Sequence, residues 1–132
     1  MLTDGIVIRL GTNTKTIGDY YEDVALDFLK EQGCQLVTRN FHSRRGEIDL
    51  IVKDDKTLVF VEVRFRRNPN YGSPLDTVTK DKQVKLTACA QYFLQTQAKY
   101  QHYECRFDAI SITGDPDHLD IDWIKQAFVA NS

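Results

Sequence analysis

The sequence has no long run of apolar residues. No stretch approaches the roughly 20 consecutive apolar residues that a membrane span needs. Residues 1–13 also lack the basic and then apolar pattern of a signal peptide. We therefore expect a cytoplasmic protein without a membrane partner.

Cysteine is scarce, and Cys34, Cys89 and Cys105 show no CxxC spacing. The three histidines have no ligand spacing with these cysteines, which argues against a zinc site and favours reduced, buried thiols. The chain also lacks a Walker-type glycine loop, a dinucleotide fingerprint and a nucleophile elbow. These absences argue against nucleotide hydrolysis, redox chemistry and acyl transfer.

The length of 132 residues predicts one domain whose core needs no disulfide or metal to be stable. Residues 1–15 are predicted to form a flexible arm, and residues 16–132 the single domain. Apolar periodicity and turn residues predict a helix over 16–32, strands over 35–41, 47–52 and 58–65, a loop over 66–76, a helix over about 79–97, a strand over 106–113 and a short closing element over 121–129. This order predicts an α/β fold with a mixed central sheet flanked by helices.

Acidic residues interrupt two neighbouring apolar strands of this predicted sheet. Glu47 and Asp49 share one face of the first strand, and Glu62 and Arg64 share one face of the second, because side chains alternate along a strand. The polar turn over 53–56 predicts that the two strands form an antiparallel hairpin. Three carboxylates and one cation are therefore expected on one face of an otherwise apolar sheet.

A divalent metal site is the simplest explanation for unpaired carboxylates in a core, where they add no stability. Magnesium prefers a few carboxylates and leaves its other positions to water and substrate phosphate. Asp49 and Glu62 are the predicted ligands, and the backbone carbonyl of Val63 is a further candidate. The alternative is a surface salt-bridge cluster in which Glu62 pairs with Arg64.

Three further side chains of this region have predicted roles. Arg64 could clamp a phosphate or stabilise the transition state, although it cannot act as a general base. Glu22 lies at the edge of the apolar stripe of the first helix. It could serve as an auxiliary metal or water ligand, or it could be a solvated residue. Glu47 could bind metal, but a salt bridge to Arg44 or Arg45 is the favoured expectation.

Basic residues surround the acidic hairpin. Residues 39–67 contain eight Lys or Arg against five Asp or Glu, whereas residues 104–122 contain one Arg against six acids. Lys82 begins the second helix on its inner face, where it could snorkel to solvent or meet a phosphate. The other cations predicted to contact a nucleic-acid backbone are Arg39, Arg44, Arg45, Arg66 and Arg67. This distribution fits a polyanionic substrate held around a metal site.

Several short motifs, in this order and spacing, resemble the bacterial YraN family over residues 16–128. They are Tyr21-Glu22-x-x-Ala25, Arg39-Asn40-Phe41, Gly46-Glu47-Ile48-Asp49-Leu50-Ile51, Val59-Phe60-Val61-Glu62-Val63-Arg64, Lys82 with Ala90, and Arg106-Phe107-Asp108. That family is similar to the restriction-endonuclease superfamily, with its PD-(D/E)xK site, and especially to archaeal Holliday-junction resolvases. The resemblance implies a restriction-endonuclease-like core that depends on Mg²⁺ or Mn²⁺.

The resemblance also implies roles for individual residues. Glu22 matches the acid of the first helix, Asp49 the motif aspartate, and Glu62 the glutamate of the ExK motif. Arg64 falls where the superfamily usually has lysine, so a general base would have to come from elsewhere. Ile48 stands in place of the proline of the PD pair.

Three hypotheses follow from the sequence. The first is a metal-dependent endonuclease acting on DNA, with branched or damaged DNA as the substrate class. Cutting both strands of a junction would need two active sites, which favours a symmetric homodimer. The second is a nucleic-acid-binding module that keeps the fold without cutting, as the arginine at position 64 suggests. The third is a protein-interaction subunit that uses the acidic C-terminal region.

Overall fold

The computed structural model describes residues 8–10, 13–66, 78–115 and 117–130, with side chains from residue 16 onward. The described elements, in chain order, are β1 (Ile8–Leu10), β2 (Asn13–Lys15), α1 (Ile17–Glu31), β3 (Gln35–Ser43), β4 (Gly46–Asp54), β5 (Thr57–Arg66), α2 (Lys80–Thr96), a short 3₁₀ helix (Ala98–Tyr100), β6 (Glu104–Asp115) and β7 (His118–Phe128). Among these residues, no helix combines the length and the apolar character of a membrane-spanning helix.

Strands β3 to β7 form one sheet in the order β3-β4-β5-β6-β7. The β3–β4, β4–β5 and β6–β7 pairs are antiparallel, whereas β5 and β6 are parallel and are connected through α2. A parallel pair needs such a crossover, because a tight hairpin can only join antiparallel strands. The predicted α/β class, the mixed sheet and the β4–β5 hairpin are therefore confirmed.

The two helices lie on opposite faces of the sheet. Tyr21, Ala25, Leu26 and Leu29 of α1 belong to a buried cluster with apolar residues of β4, β5 and β6. The buried residues of α2 that join a second cluster with the sheet are Leu86, Cys89, Ala90 and Phe93. Because β4, β5 and β6 are covered on both sides, their sequences are almost continuously apolar. A charged residue in the middle of β5 therefore needs a specific partner.

Capping residues fix where each helix begins and ends. The Thr16 side chain accepts a hydrogen bond from the Asp19 N–H, and the Asp19 carboxylate accepts one from the Thr16 N–H, which together form a capping box. Thr79 caps α2 by accepting from the Lys82 N–H at 3.2 Å. After α1, Gly33 takes a φ of +96°, the left-handed conformation that glycine adopts at lowest cost. The predicted helix ends were close to these positions.

Asp108 joins the last two strands in the part of the sheet farthest from β3. Its carboxylate is 1% exposed and accepts hydrogen bonds from Arg106 Nε at 3.0 Å, Trp123 Nε1 at 2.8 Å and the Gln126 N–H at 2.9 Å. Arg106 also donates to Asp54 at 2.7 Å. The Asp108 carboxylate therefore orients Arg106 and also anchors β7.

Three segments differ from their predicted form. The closing element is β7, a strand of 11 residues paired along β6, because its backbone groups find partners there. Strand β3 extends to Ser43, two residues beyond its predicted end. Within the predicted arm, β1 and β2 pair as a two-stranded antiparallel sheet. Most of the predicted loop over 66–76 lies outside the described residues.

Candidate active site

Asp49 and Glu62 lie at the point where the pairing between β4 and β5 ends. The paired register runs from Asp54–Thr57 to Leu50–Val61, and Asp49 and Glu62 are the next two residues facing each other. Asp49 Oδ2 accepts a hydrogen bond from the Val63 N–H at 2.8 Å. This side-chain bond occupies a backbone donor of β5, so the carboxylate is fixed against β5.

Strand β4 is irregular at this same residue. Ile48 packs in the cluster beneath α2, whereas Leu50 packs in the cluster beneath α1. Residues two apart in a regular strand point to the same face, so the strand must twist locally at Asp49. Asn40, which lies opposite Asp49 on β3, has a φ of +53°. Asparagine tolerates this left-handed conformation better than most residues, and the distortion aims Asp49 toward Glu62.

Glu62 is 4% exposed, and its carboxylate Oε2 contacts the ammonium Nζ of Lys82. Lys82 comes from the first turn of α2, and its side chain is 37% exposed. An ionised carboxylate so deeply buried requires a charged partner, which Lys82 supplies. The ion pair of Glu62 is therefore with Lys82 and not with Arg64, the partner considered in the salt-bridge alternative.

Burial and the neighbouring Glu62 change the protonation of Asp49. Burial raises the pKa of Asp49 to about 8, and the negative charge of Glu62 adds to this effect. The hydrogen bond from the Val63 N–H opposes the shift by stabilising the ionised form. Asp49 therefore tends to hold its proton at neutral pH, unless a cation offsets the charge of the pair.

Glu22 lies close enough to this pair for its charge to raise the pKa of Asp49 as well. Its own pKa is raised chiefly by burial, while Arg39 opposes the shift. Arg39 lies in β3, and its guanidinium bonds Asp23 at 2.8 Å and Glu22 at 3.5 Å. In this structure Arg39 thus holds the acidic side of α1 against the sheet, close to the carboxylate pair.

The remaining predicted cations are distributed over several places. Arg64 and Arg66 are half-buried residues of β5, and Arg64 stands two positions beyond Glu62. Arg44 and Arg45 are exposed in the turn between β3 and β4. Arg67 lies outside the described residues. Lys82 therefore contacts the carboxylate pair, the β5 arginines lie farther along the strand that carries Glu62, and the turn arginines lie between β3 and β4.

Glu47 does not join the carboxylate pair. Its side chain is exposed, and its Oε2 lies 3.3 Å from Nδ1 of His42. The expected salt bridge to Arg44 or Arg45 is therefore wrong, because β3–β4 pairing places His42 directly opposite Glu47. Across the described ranges, no three His, Cys, Asp or Glu side chains converge as a metal cage.

Two residues near the site were not predicted to act there. Asp23 binds Arg39, and Asn40 provides the bend opposite Asp49. The asparagine in Arg39-Asn40-Phe41 was a usable signal, since this residue type is enriched at positive φ within otherwise regular structure. Nothing local in the sequence distinguishes Asp23 from a solvated residue beside Glu22.

The sequence profile of the uncharacterised protein family UPF0102 matches residues 21–112, a range that contains the carboxylate pair, Glu22 and Lys82. A UPF0102 protein of Nitrosococcus oceani is 42% identical over 115 residues, covering 87% of this chain and 93% of the relative. One from Chromohalobacter salexigens is 47% identical over 106 residues, covering 80% and 85% respectively.

A UPF0102 protein of Acinetobacter baumannii is similar at 44% identity over 124 residues, covering 85% of this chain and 93% of the relative. The chain therefore belongs to the UPF0102 family, and the family expected from the short motifs, YraN, is confirmed.

Proposed function

We propose that this protein is a magnesium-dependent endonuclease that hydrolyses phosphodiester bonds in DNA. The observation that carries this proposal is the pair Asp49 and Glu62, at the point where two strands stop pairing, with the Lys82 ammonium on one of them. A carboxylate whose pKa is raised by burial and by a neighbouring carboxylate, as that of Asp49 is, marks a candidate functional site because such an arrangement costs stability.

The donor set fits magnesium. Asp49 and Glu62 would hold the ion with the backbone carbonyl of Val63, and substrate phosphate and water would complete its six oxygen ligands. When bound, the ion polarises the scissile phosphate and lowers the pKa of an attacking water. The unfavourable charge of the pair supports this fit, since a divalent cation offsets it and lets Asp49 ionise at neutral pH.

Lys82 and Arg64 provide the phosphate contacts in this proposal. Lys82 lies in the first turn of α2 beside Lys80, where the helix dipole disfavours cations and favours an anion. A phosphate is therefore favoured at the start of α2, and in this proposal the Lys82 ammonium contacts that phosphate in place of Glu62. Arg64 can donate several hydrogen bonds to phosphate oxygens, and it keeps its charge at all relevant pH values.

Glu22, from α1, is the third carboxylate of the proposed site. Its carboxylate lies near Asp49 and is partly neutralised by Arg39. A carboxylate in this place can orient a water or, with its neighbours, attract a second cation. Arg39 would then act as a positioning residue for Glu22, in addition to any contact with the DNA backbone.

The test is cleavage of a panel of linear duplex, single strand, flap and four-way junction DNA, with Mg²⁺ or Mn²⁺. We expect metal-dependent cutting by the wild-type protein and a loss of at least about 100-fold in Asp49→Asn and Glu62→Gln. Glu47→Gln is the matched control, because it removes an exposed carboxylate from the same strand. Equal cutting by all four proteins would refute the site.

A second candidate is a DNA-binding module that does not cut. Two features favour this alternative. The Lys82 ammonium can neutralise the charge of Glu62 without a metal ion. Arg64 cannot accept a proton as a general base. It predicts that folded wild-type protein binds the panel in EDTA and cuts nothing in either metal. Arg64→Lys is then the informative variant, because a gain of cutting would show that the site can support nuclease activity.

A further inference from the structure

A groove borders the β3–β4 turn, away from the carboxylate pair. Its volume is about 520 Å³, and it is lined by His42, Ser43, Arg44, Arg45 and Tyr92. The Ser43 hydroxyl shapes the turn, because it accepts from the Arg45 N–H at 3.2 Å and donates to the Gly46 carbonyl at 3.4 Å. Helix α2 passes nearby, since a Cβ placed on Gly46 would lie 3.8 Å from the Lys85 Cβ.

Tyr92 presents an aromatic face to this groove. It is 48% exposed, which is unusual for so large a side chain on a helix that packs on a core. Its ring lies 6.1 Å from that of Phe41, centre to centre, so one edge of the ring is supported while another part remains open. A supported and exposed ring of this kind suits stacking against a flat partner.

The groove is also positively charged. Arg44 and Arg45 are exposed, and across the described residues neither forms an ion pair with an acidic side chain. Lys85 lies on the same side of α2 as Tyr92, because residues seven apart share one helix face, but its charge is paired with Asp81 at 3.2 Å, so the two arginines supply the unpaired charge. A ring flanked by guanidinium groups is the arrangement that binds unpaired bases together with their phosphates.

We infer that this groove binds a single-stranded segment of DNA, with a base stacked on Tyr92 and phosphates on Arg44 and Arg45. The inference rests on the proposed nuclease function only for the identity of the nucleic acid. Lys82 and Tyr92 are ten residues apart in α2, or about 15 Å along the helix axis. A short unpaired stretch can cover that distance, so the preferred substrates would carry a single-stranded arm, as flaps do.

Stacking requires an unpaired base, which explains the choice of single strand over duplex. In a duplex the faces of internal bases are covered by their neighbours, and only the groove edges and phosphates are accessible. The open ring would then contribute little. Val84 is a further exposed apolar residue of α2, so a second copy of this chain is the competing occupant of this helix face.

The test measures equilibrium binding in EDTA, where no metal-dependent cutting occurs. The probes are a short oligothymidylate, the same backbone with abasic sites, and a blunt duplex. We expect Tyr92→Ala to weaken binding of the oligothymidylate by about 5- to 150-fold, and Tyr92→Trp to preserve it. The abasic strand and the duplex should bind both variants as they bind the wild-type protein.

Charge is tested with a double variant and a matched control. Arg44→Ala with Arg45→Ala should lower affinity for every probe and reduce the salt dependence by about one phosphate contact per residue. Lys30→Ala with Lys56→Ala removes two exposed cations at distant positions, in α1 and in the β4–β5 turn, and should leave the salt dependence unchanged.

Two results would overturn the inference. One is equal oligothymidylate binding by the wild-type protein and Tyr92→Ala. This result would refute DNA binding in the groove and would leave the proposed cleavage at Asp49 untouched. The other is a wild-type dimer that Tyr92→Ala separates while DNA binding stays unchanged, which would make the face a protein interface. Conversely, Tyr92-dependent binding without any cutting would uphold the groove and count against the nuclease.

Discussion

The ammonium of Lys82, in the first turn of α2, contacts the carboxylate of Glu62, in the middle of β5. This ion pair connects the start of the crossover helix to the strand that the helix follows in the chain. It stabilises a carboxylate that would otherwise be buried without a partner. It also keeps a mobile cation beside the place where we propose that a phosphate binds.

Removing this cation should destabilise the fold. Lys82→Met leaves Glu62 buried without its partner, and we expect the free energy of unfolding to fall by about 1–3 kcal/mol, below the cost for a fully enclosed pair because Lys82 is partly exposed. Urea unfolding measures it. Lys85→Met, which breaks an exposed pair with Asp81, should cost less than about 0.5 kcal/mol. Equal losses would contradict the role of the buried pair.

Neutralising Asp49 should stabilise the protein at neutral and alkaline pH. The folded-state pKa is raised from 3.8 to about 8, so the folded protein binds more protons than the unfolded chain between these values. Stability from this group is thus full below pH 3.8 and is lost as the pH rises through about 8.

We therefore expect Asp49→Asn, whose carbonyl can still accept from the Val63 N–H, to gain about 1–3 kcal/mol at pH 8 relative to the wild-type protein. Denaturant unfolding of both proteins from pH 4 to pH 9 measures the difference, which should grow with pH across the interval of the shift. A difference that stays constant with pH would show that the surroundings of Asp49 do not raise its pKa.

The Asp108 carboxylate should be essential for anchoring β7. Asp108→Ala leaves the Arg106 guanidinium, the Trp123 N–H and the Gln126 N–H without their acceptor, and we expect a loss of about 3 kcal/mol or more. Thermal and urea unfolding report the loss, and hydrogen exchange should locate it in β7. Asp120→Ala, an exposed position of the same strand, should be close to neutral.

Two glycines with positive φ should differ in how well they accept alanine. Gly33 has a φ of +96° with no atom within 4 Å of an added Cβ, so Gly33→Ala should cost about 1 kcal/mol from the backbone conformation alone. At Gly114, φ is +113° and a Cβ would lie 2.2 Å from the His118 carbonyl oxygen. Gly114→Ala should therefore cost at least about 2 kcal/mol, because the β6–β7 turn must shift.

The central part of this site could be predicted from the sequence because its geometry is local. Alternation along β4 and β5 placed Asp49 and Glu62 on facing strands, and helical periodicity placed Lys82 on the inner side of α2. Strand β7 also carried a usable signal, because Leu119, Ile121 and Trp123 alternate with acidic residues in the pattern of a strand with one buried face.

The parts that could not be predicted depend on contacts between distant segments. The ion pairs of Arg39 with α1 and the contact of Glu47 with His42 follow from helix docking and strand register, which no local pattern specifies. The local twist of β4 at Asp49 is visible only from the two clusters on which its neighbours pack. The open face of Tyr92 likewise appears only once the β3–β4 turn lies beside α2.

The most direct test of the central claim is a calorimetric titration of Mn²⁺ into the protein at pH 7, in buffers of different ionisation enthalpy. If Asp49 and Glu62 hold the cation, the wild-type protein and Glu47→Gln bind it saturably and release protons as Asp49 ionises. Asp49→Asn and Glu62→Gln should bind far more weakly and release none. Saturable binding of equal affinity in Asp49→Asn, or no binding by the wild-type protein with or without flap DNA, would contradict the account.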